Sequence, residues 1–483
     1  MPENKNGLEK YIEALEAMDF KMTKRSITFD GGFLRILYVQ HMTDRTALSD
    51  LAIKPLSKYF LNYNADRGPV NAKMLMHNVI HTDDCWTDTD KEKIRDLILN
   101  GMTVIIVSAD EEYIVLNHKK VEHRSVDKPE IEYTLRGPKD SFVENLDVNL
   151  SLIRYRLKDP KLRIRFFKVG RRTKTDVAML YIEDIANENV VKQVQGKIER
   201  INVDGISESG ELQAFLQGKY TIFPKLGLVE RSDSAYHLLT EGRVLILVEG
   251  SGIAISAPQT FPEFFYSCDD RYDNAFFGFF MRLFRYIALL ISLMTTSIYI
   301  GITSYHMDAV PSEYTIALAE MRSKVPFSSL TGALLVEFLM ELFREALLRV
   351  PKQIGSAVGI VAAIVIGQAA TAAGIFSPLL LILVATSLLS SFALPDYSLV
   401  TPFRIFKFIG LLATGTFGFY GLILFVCLLL INIVSAESFG VPYFAPFAPA
   451  NRYDLIRSFF YNVTMSPERI KYLRSKDSTR TDE

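Results

Sequence analysis

Four charges on an otherwise apolar segment are the residues in this chain with the clearest capacity for chemistry. In Ala333–Val350, ALLVEFLMELFREALLRV, Glu337, Glu341, Arg344 and Glu345 stand at i, i+4, i+7 and i+8, so a helix places them on one face. Leu335, Leu339, Leu342 and Ala346 take the other side, and Pro351 ends the helix. Such a helix either lies in a membrane interface with its charges paired, or spans with them turned toward a polar bundle interior. In the second case its carboxylates would favour cations along an ion path. The residues leave both readings open.

A pattern of small residues follows. Gly355, Gly359, Ala363 and Gly367 recur every four positions. Such a stripe lets helix backbones approach closely, because no bulky side chain intervenes. Gln368 sits beside it, a polar group deep in an apolar helix that needs a partner. Ordinary packing within the chain fits this stripe, and so does a subunit contact or pore-lining helix in an oligomer.

The elements that must position these groups are membrane helices. The 483 residues are 49% hydrophobic with a formal net charge of −1, yet charges crowd the part before Arg282 and long uncharged runs lie beyond it. Tyr286–Ile302 meets the roughly 17–25 residues of a spanning helix. Arg282 and Arg285 just before it hold the preceding region in the cytoplasm by the positive-inside rule. Ile354–Pro395 is uncharged and about two spans long, with Gly374, Ser377 and Pro378 marking a tight turn between two helices. Phe408–Ala436 reads as one long helix that spans with tilt, flanked at its start by Arg404 and Lys407. The expected count is about four crossings if the charged helix lies in the interface and about five if it spans. Arg469, Lys471, Arg474, Lys476 and Arg480 favour a cytoplasmic tail, whereas Arg404 and Lys407 favour a cytoplasmic start for the last helix. These two cues conflict. The N-terminal stretch is charged and has no apolar h-region, so an internal segment is expected to direct membrane entry.

The region before the membrane helices contains a duplication. FLRILYVQHMTDRTALSDL (Phe33–Leu51) resembles DVAMLYIEDIANENVVKQV (Asp176–Val194), each a β-branched and aromatic strand followed by a polar turn and a helix. GMTVIIVSADEEYIVL (Gly101–Leu116) resembles GRVLILVEGSGIAISA (Gly242–Ala257), a hairpin in both cases, and a helical stretch precedes each. Order and spacing are kept, which points to two tandem subdomains of similar topology. The expected architecture is two tandem α/β soluble subdomains followed by a helical transmembrane domain of about 4–5 spans. Its divisions are 1–130, 131–265, 266–450 and a polar basic tail over 451–483. Between the repeats, Arg136-Gly137-Pro138 reads as a turn, and Ser141 to Glu144 as a capping box opening a helix.

Several classes receive no support. Walker A, GxGxxG, HExxH and GxSxG patterns are missing, and the seven histidines lack metal-ligand spacing. Cys85, Cys268 and Cys427 form neither a CxxC pair nor a disulfide framework. No enzyme activity, cofactor, metal or nucleic-acid partner is expected.

Several segments together resemble one family. RGPKDSFVENLDVNLSLIR, with Arg136, Gly137, Pro138, Glu144, Asn149 and Arg154, is similar to a RGPxxxFxExxxxNxxLIR segment. VERSD, with Glu230, Arg231 and Asp233, stands where TERPD is usual, so Ser232 replaces a proline. EALLRVPKQIGSAVGIVAAIVIGQAATAAGIFSP is similar to a REAGxRxPxxIGQxxxxVGxxVIGQAA core, with departures at Leu347, Leu348 and Ser356. SFALPDYSL and SFGVPYFAP complete the likeness. The chain thereby resembles the A subunits of the GerA family, spore germination proteins of endospore-forming bacteria. The resemblance implies a channel-forming component that oligomerises in the spore inner membrane. It also implies two partners, a transporter-like B-type subunit that binds the nutrient and a lipoprotein C-type subunit. A non-conducting scaffold or a nutrient transporter are the rival readings.

Overall fold

The computed structural model describes residues 22–29, 32–61, 63, 70–108, 110–118, 129, 132, 134, 137–218, 221–350, 367–459 and 468–480. The chain forms two compact units. One comprises Met1–Lys219, Leu226–Pro258 and Pro467–Glu483, and the other Tyr220–Lys225 and Gln259–Ser466.

The first unit holds two five-stranded antiparallel sheets of identical order. In one, β1 (Thr23–Phe29), β2 (Gly32–Tyr38), β4 (Thr103–Val107), β5 (Tyr113–Leu116) and β3 (Cys85–Asp88) lie side by side in that sequence. In the other, β6 (Leu162–Val169), β7 (Thr175–Ile182), β9 (Val244–Val248), β10 (Ala254–Ala257) and β8 (Gly227–Val229) repeat it. Register repeats too: Leu37 pairs with Val104, and Leu180 with Leu245. Alternation at period two sends successive side chains to opposite faces. Leu34 and Ile36 therefore pack on α1 (Lys54–Leu61) and α2 (Ala72–Asn78), while Leu37 packs on α3 (Lys93–Leu99). The second sheet carries α4 (Leu146–Arg156), α5 (Glu188–Glu199), α6 (Ser209–Gln217) and α7 (Ser232–Thr240). Gly101 and Gly242, after α3 and α7, have φ of 85° and 96°, a conformation glycine adopts without steric cost.

Two local expectations change. The helix after the RGP turn starts at Leu146, and its cap is Asn145, whose side chain accepts from Val148 N. Ser141 instead forms a β-bridge with Arg231. The tail also has a fixed place. Residues 468–480 belong to the first unit, where Lys476 N donates to Ile185 O at 2.9 Å and Asp477 N to Asp184 O at 3.1 Å. Arg469 Nε donates to Thr240 O at 2.9 Å, and Leu473 is buried.

The second unit is helical: α8 (Ala275–Tyr305), α9 (Ser312–Arg322), α10 (Ser329–Arg349), α11 (Pro378–Ser391), α12 (Tyr397–Ser435) and α13 (Arg452–Phe459). Among the described residues, α8 and α12 are long and apolar enough to cross a bilayer, and α11 is apolar but shorter. The expected turn is present: Gly374 has φ 66°, and Ser377 caps α11 with Pro378 at its first position.

The last apolar run is not one straight span. At Gly418 the backbone takes φ 62° and ψ −147°, and α12 folds back on itself. Ring atoms of Phe425 lie 3.0 Å from where a Cβ on Gly410 would stand, although a straight helix would separate the two by about 22 Å. Residues 397–417 and 419–435 are thus two antiparallel legs, and the first is about 31 Å long, one bilayer core. Carbonyls freed at the bend find a donor on another helix, since Tyr305 Oη donates to Gly415 O at 2.7 Å and Thr416 O at 3.1 Å. The helix begins at Tyr397, so Arg404 and Lys407 lie inside its first leg rather than flanking it.

Candidate functional site

The charged face of α10 meets matching residues on three other helices. Glu337 Oε1 lies 2.6 Å from Lys407 Nζ on α12 and accepts from Thr296 Oγ1 on α8 at 2.8 Å. Lys407 Nζ also donates to Ser387 Oγ on α11 at 2.5 Å, and that hydroxyl donates to Ser292 O at 2.8 Å. Four helices therefore close on one buried knot. One turn along, Glu341 holds both Arg344, at 3.0 Å, and Arg404. Arg344 reaches Ser391 at 3.3 Å and lies over the Phe392 ring, and Arg404 reaches Tyr397 Oη at 3.3 Å.

The geometry follows from helical repeats. Glu337, Glu341 and Arg344 share a face of α10, Ser387 and Ser391 share one of α11, and Arg404 and Lys407 share one of α12. These stripes run side by side and enclose a cavity of about 20 Å³, enough for one water. Glu345 falls outside it, exposed and paired with Arg349 at 2.7 Å. The sequence showed the acids but not their partners Thr296, Ser387, Arg404 and Lys407. The Ser387/Ser391 repeat in an apolar helix was the available signal.

Gly355, Gly359 and Ala363 lie outside the described residues. Gly367 is described, and no described residue stands within 4 Å of where its Cβ would be. Gln368 beside it is exposed. Arg282 and Arg285, read as topology signals, are also structural: both bind Asp270, and Arg282 donates to Ser458 O at 2.8 Å.

The motif residues of the first unit join its loops around α4. Asn149 Oδ1 accepts from Val143 N at 2.8 Å, and its Nδ2 donates to Val143 O at 2.6 Å. Glu144 O accepts from Gly250 N at 2.8 Å, while Glu230 O accepts from Phe142 N at 2.7 Å. Arg231 makes a two-pronged pair with Asp233, both buried. Ser232 donates to Asp140, which also binds Arg156 at 2.6 Å. Burial alone would raise the Asp140 carboxyl, but the bonds from Ser232 and Arg156 outweigh it and hold it below the usual range. Gly137, with φ 114°, and Pro138 form the approach to this network, and Arg136 lies outside the described residues. Arg154 differs from all of these: it is buried, and no acceptor for it exists among the described residues.

Comparison with known proteins gives one consistent result. Residues 8–471 match the family described as Bacillus/Clostridium GerA spore germination protein. The chain is 34% identical over 462 residues to spore germination protein GerLA of Bacillus cereus, covering 95% of this chain and 93% of that one. It is 30% identical over 449 residues to the uncharacterized membrane protein YfkQ of Bacillus subtilis, covering 92% and 86%. Among solved structures it is similar to the N-terminal domain of the A subunit of the Bacillus megaterium spore germinant receptor GerK3. That match has 24% identity and a TM-score of 0.39, and covers 52% of this chain and 93% of that one.

Proposed function

Because the chain belongs to the GerA family of spore germination proteins, we propose that it is the A-type subunit of a spore germinant receptor, and the subunit that forms its ion path. It acts as a homo-oligomer in the spore inner membrane, beside a transporter-like B-type subunit and a lipoprotein C-type subunit. The observation that carries the reading is the contrast between two faces of the helical unit. The acids at Glu337 and Glu341 are matched inside the chain, while Gly367 and Gln368 have no cover from the described residues. A polar Gln368 facing hydrocarbon would be costly, so a second copy or an aqueous path is its natural neighbour. In this reading the small-residue helix from Ile354 packs between copies around the pore, and the charged knot couples α10 to the gate.

The tail and the bend support an even-crossing topology for this reading. Residues 468–480 share a compact unit with the two α/β subdomains, so the chain crosses the membrane an even number of times. With the last run counted as two legs, the first leg, which carries Arg404 and Lys407 within it, would start on the same side as the basic tail, so the two cues need not conflict. The division proposed remains 1–130, 131–265, 266–450 and 451–483, while residues 468–480 pack within the first compact unit.

The test is ion flux through the purified oligomer in liposomes, comparing the natural chain with Gly359→Leu and Glu341→Gln. Gly359→Leu is expected to abolish assembly or leave a leak, and Glu341→Gln to change gating. Absence of flux in every condition, partner subunits included, would leave a scaffold or signal-relay subunit as the function.

A further inference from the structure

We propose that the seam between the two α/β subdomains is a binding site for a small oxyanion, a carboxylate or phosphate group, held by Arg154. The starting point is an imbalance. Other buried or half-buried arginines of this unit have acceptors: Arg231 holds Asp233, the half-buried Arg156 holds Asp140, and Arg243 donates to Pro258 O at 2.6 Å. Arg154 is only 3% exposed, yet no hydrogen-bond acceptor and no carboxylate partner reaches it among the described residues. Its guanidinium is lowered to about 10 by burial, with no neighbouring charge acting in return. A buried cation without a counter-charge is costly, and folds retain one where something supplies the charge.

The packing of its helix points to where that charge would enter. Helix α4 is buried around most of its surface. Leu146, Leu150 and Ile153 enter the core of the second subdomain, while the helix also packs against the turn Gln40–Met42 of the first. That turn leads to Asp44, whose N donates to His118 O at 2.8 Å, so residues 43 and 44 and His118 are neighbours. Among the described residues, His118 is buried with neither ring nitrogen bonded, and the Thr43 hydroxyl is buried without a partner. Thr103, next to Val104, which pairs with Leu37, is at the same end of the sheet, and its hydroxyl is likewise buried and unbonded. Burial lowers the His118 imidazole, which keeps it neutral with one N–H to donate. A cation on α4 and unused neutral donors beside the turn it packs against suit an oxyanion, whose oxygens accept several bonds at once and match the guanidinium fork.

The test uses the full chain in detergent, with thermal unfolding followed in potassium phosphate, potassium acetate, and potassium chloride at matched ionic strength. Phosphate, acetate or both are expected to raise the midpoint saturably above the chloride control, and the arm that responds identifies the source of the anion. Arg154→Gln is expected to abolish this response while keeping or raising the midpoint without anion, because it removes an uncompensated buried charge. Thr43→Val keeps shape, removes one donor, and is expected to weaken binding about tenfold, the worth of one hydrogen bond to a charged group. No response beyond chloride, a response that survives in Arg154→Gln, or unchanged affinity in Thr43→Val would each overturn the proposal.

Discussion

Lys407→Met gives the most direct test of the knot between the helices. The side chains of Glu337 and Lys407 are 5% and 10% exposed, so the solvent screening that limits surface pairs to about 0–1 kcal/mol has little purchase here. Truncating one member of a buried pair leaves the other charge unmatched and costs roughly 3–5 kcal/mol. Lys407→Met leaves Glu337 with the Thr296 hydroxyl as its remaining hydrogen-bond donor. Glu337→Gln keeps the shape but strands the ammonium of Lys407 against Ser387. Each single variant is therefore expected to lose roughly 3–5 kcal/mol, whereas the double variant, which buries no charge, loses far less than their sum. The coupling should reach about 2 kcal/mol or more, near the top of the range for residues in contact. Thermal or denaturant unfolding of the four proteins in the same detergent supplies the cycle. Coupling of this origin should also survive a rise from low to high salt, because buried charges are poorly screened. Additive losses within about 0.5 kcal/mol, or coupling that vanishes with salt, would refute the reasoning.

Further outcomes follow from other parts of the fold. Gly418→Ala places a side chain in a backbone region that only glycine tolerates well, 3.1 Å from the Tyr305 ring, and should lose about 1–3 kcal/mol in the same unfolding assay. Ser478→Cys and Ile316→Cys, in a chain cleared of its natural cysteines, should react with an impermeant maleimide from opposite sides of the membrane. Labelling from one side would defeat the even-crossing topology. Asp477 is held down to about 2, against 3.8 when free, by bonds from Thr479 and then by Arg469. A depressed carboxyl stabilises above its unfolded value, so tail docking should weaken as pH falls from about 4 toward 2. The carboxyl is well exposed and the effect small. Pepsin cleavage of the tail should rise across that window, and Asp477→Asn should remove the step.

The α/β duplication was legible because strand register is a local property. Leu37 and Leu180 sit at matching points of two apolar runs, each followed by a hairpin ending at Leu116 or Ala257, and period-two alternation fixes which face they take. The bend at Gly418 was not legible for a corresponding reason. A turn in water is marked by polar residues that satisfy its backbone, but here the freed carbonyls are served by Tyr305, over a hundred positions away. Gly415, Gly418 and Gly421 were the local trace, and glycines of this kind also occur in straight membrane helices. The docking of the tail was not legible because Arg469 and Arg480 find their partners at Thr240 and Glu241, which no local pattern reveals.

Two carboxylates, Glu337 and Glu341, face three cations, Arg344, Arg404 and Lys407, around the same small cavity. A row of unmatched acids would draw cations through the centre of a single chain, but this arrangement leaves one positive charge in excess and repels them. In the proposed channel a cation path would therefore belong on another face, and the knot would have a different use. Its bonds tie α10 to α8, α11 and α12 through groups that have no alternative partners in hydrocarbon, so the four helices move together or the pairs break together. Such a joint suits a two-state element better than a graded one, because a half-broken pair leaves a bare charge and is the least stable arrangement. A signal that displaces α10 must then supply the cost of opening both layers, at Glu337 and Glu341, in a single step. Weakening only the Glu341 layer should lower the threshold for opening without changing which ion passes.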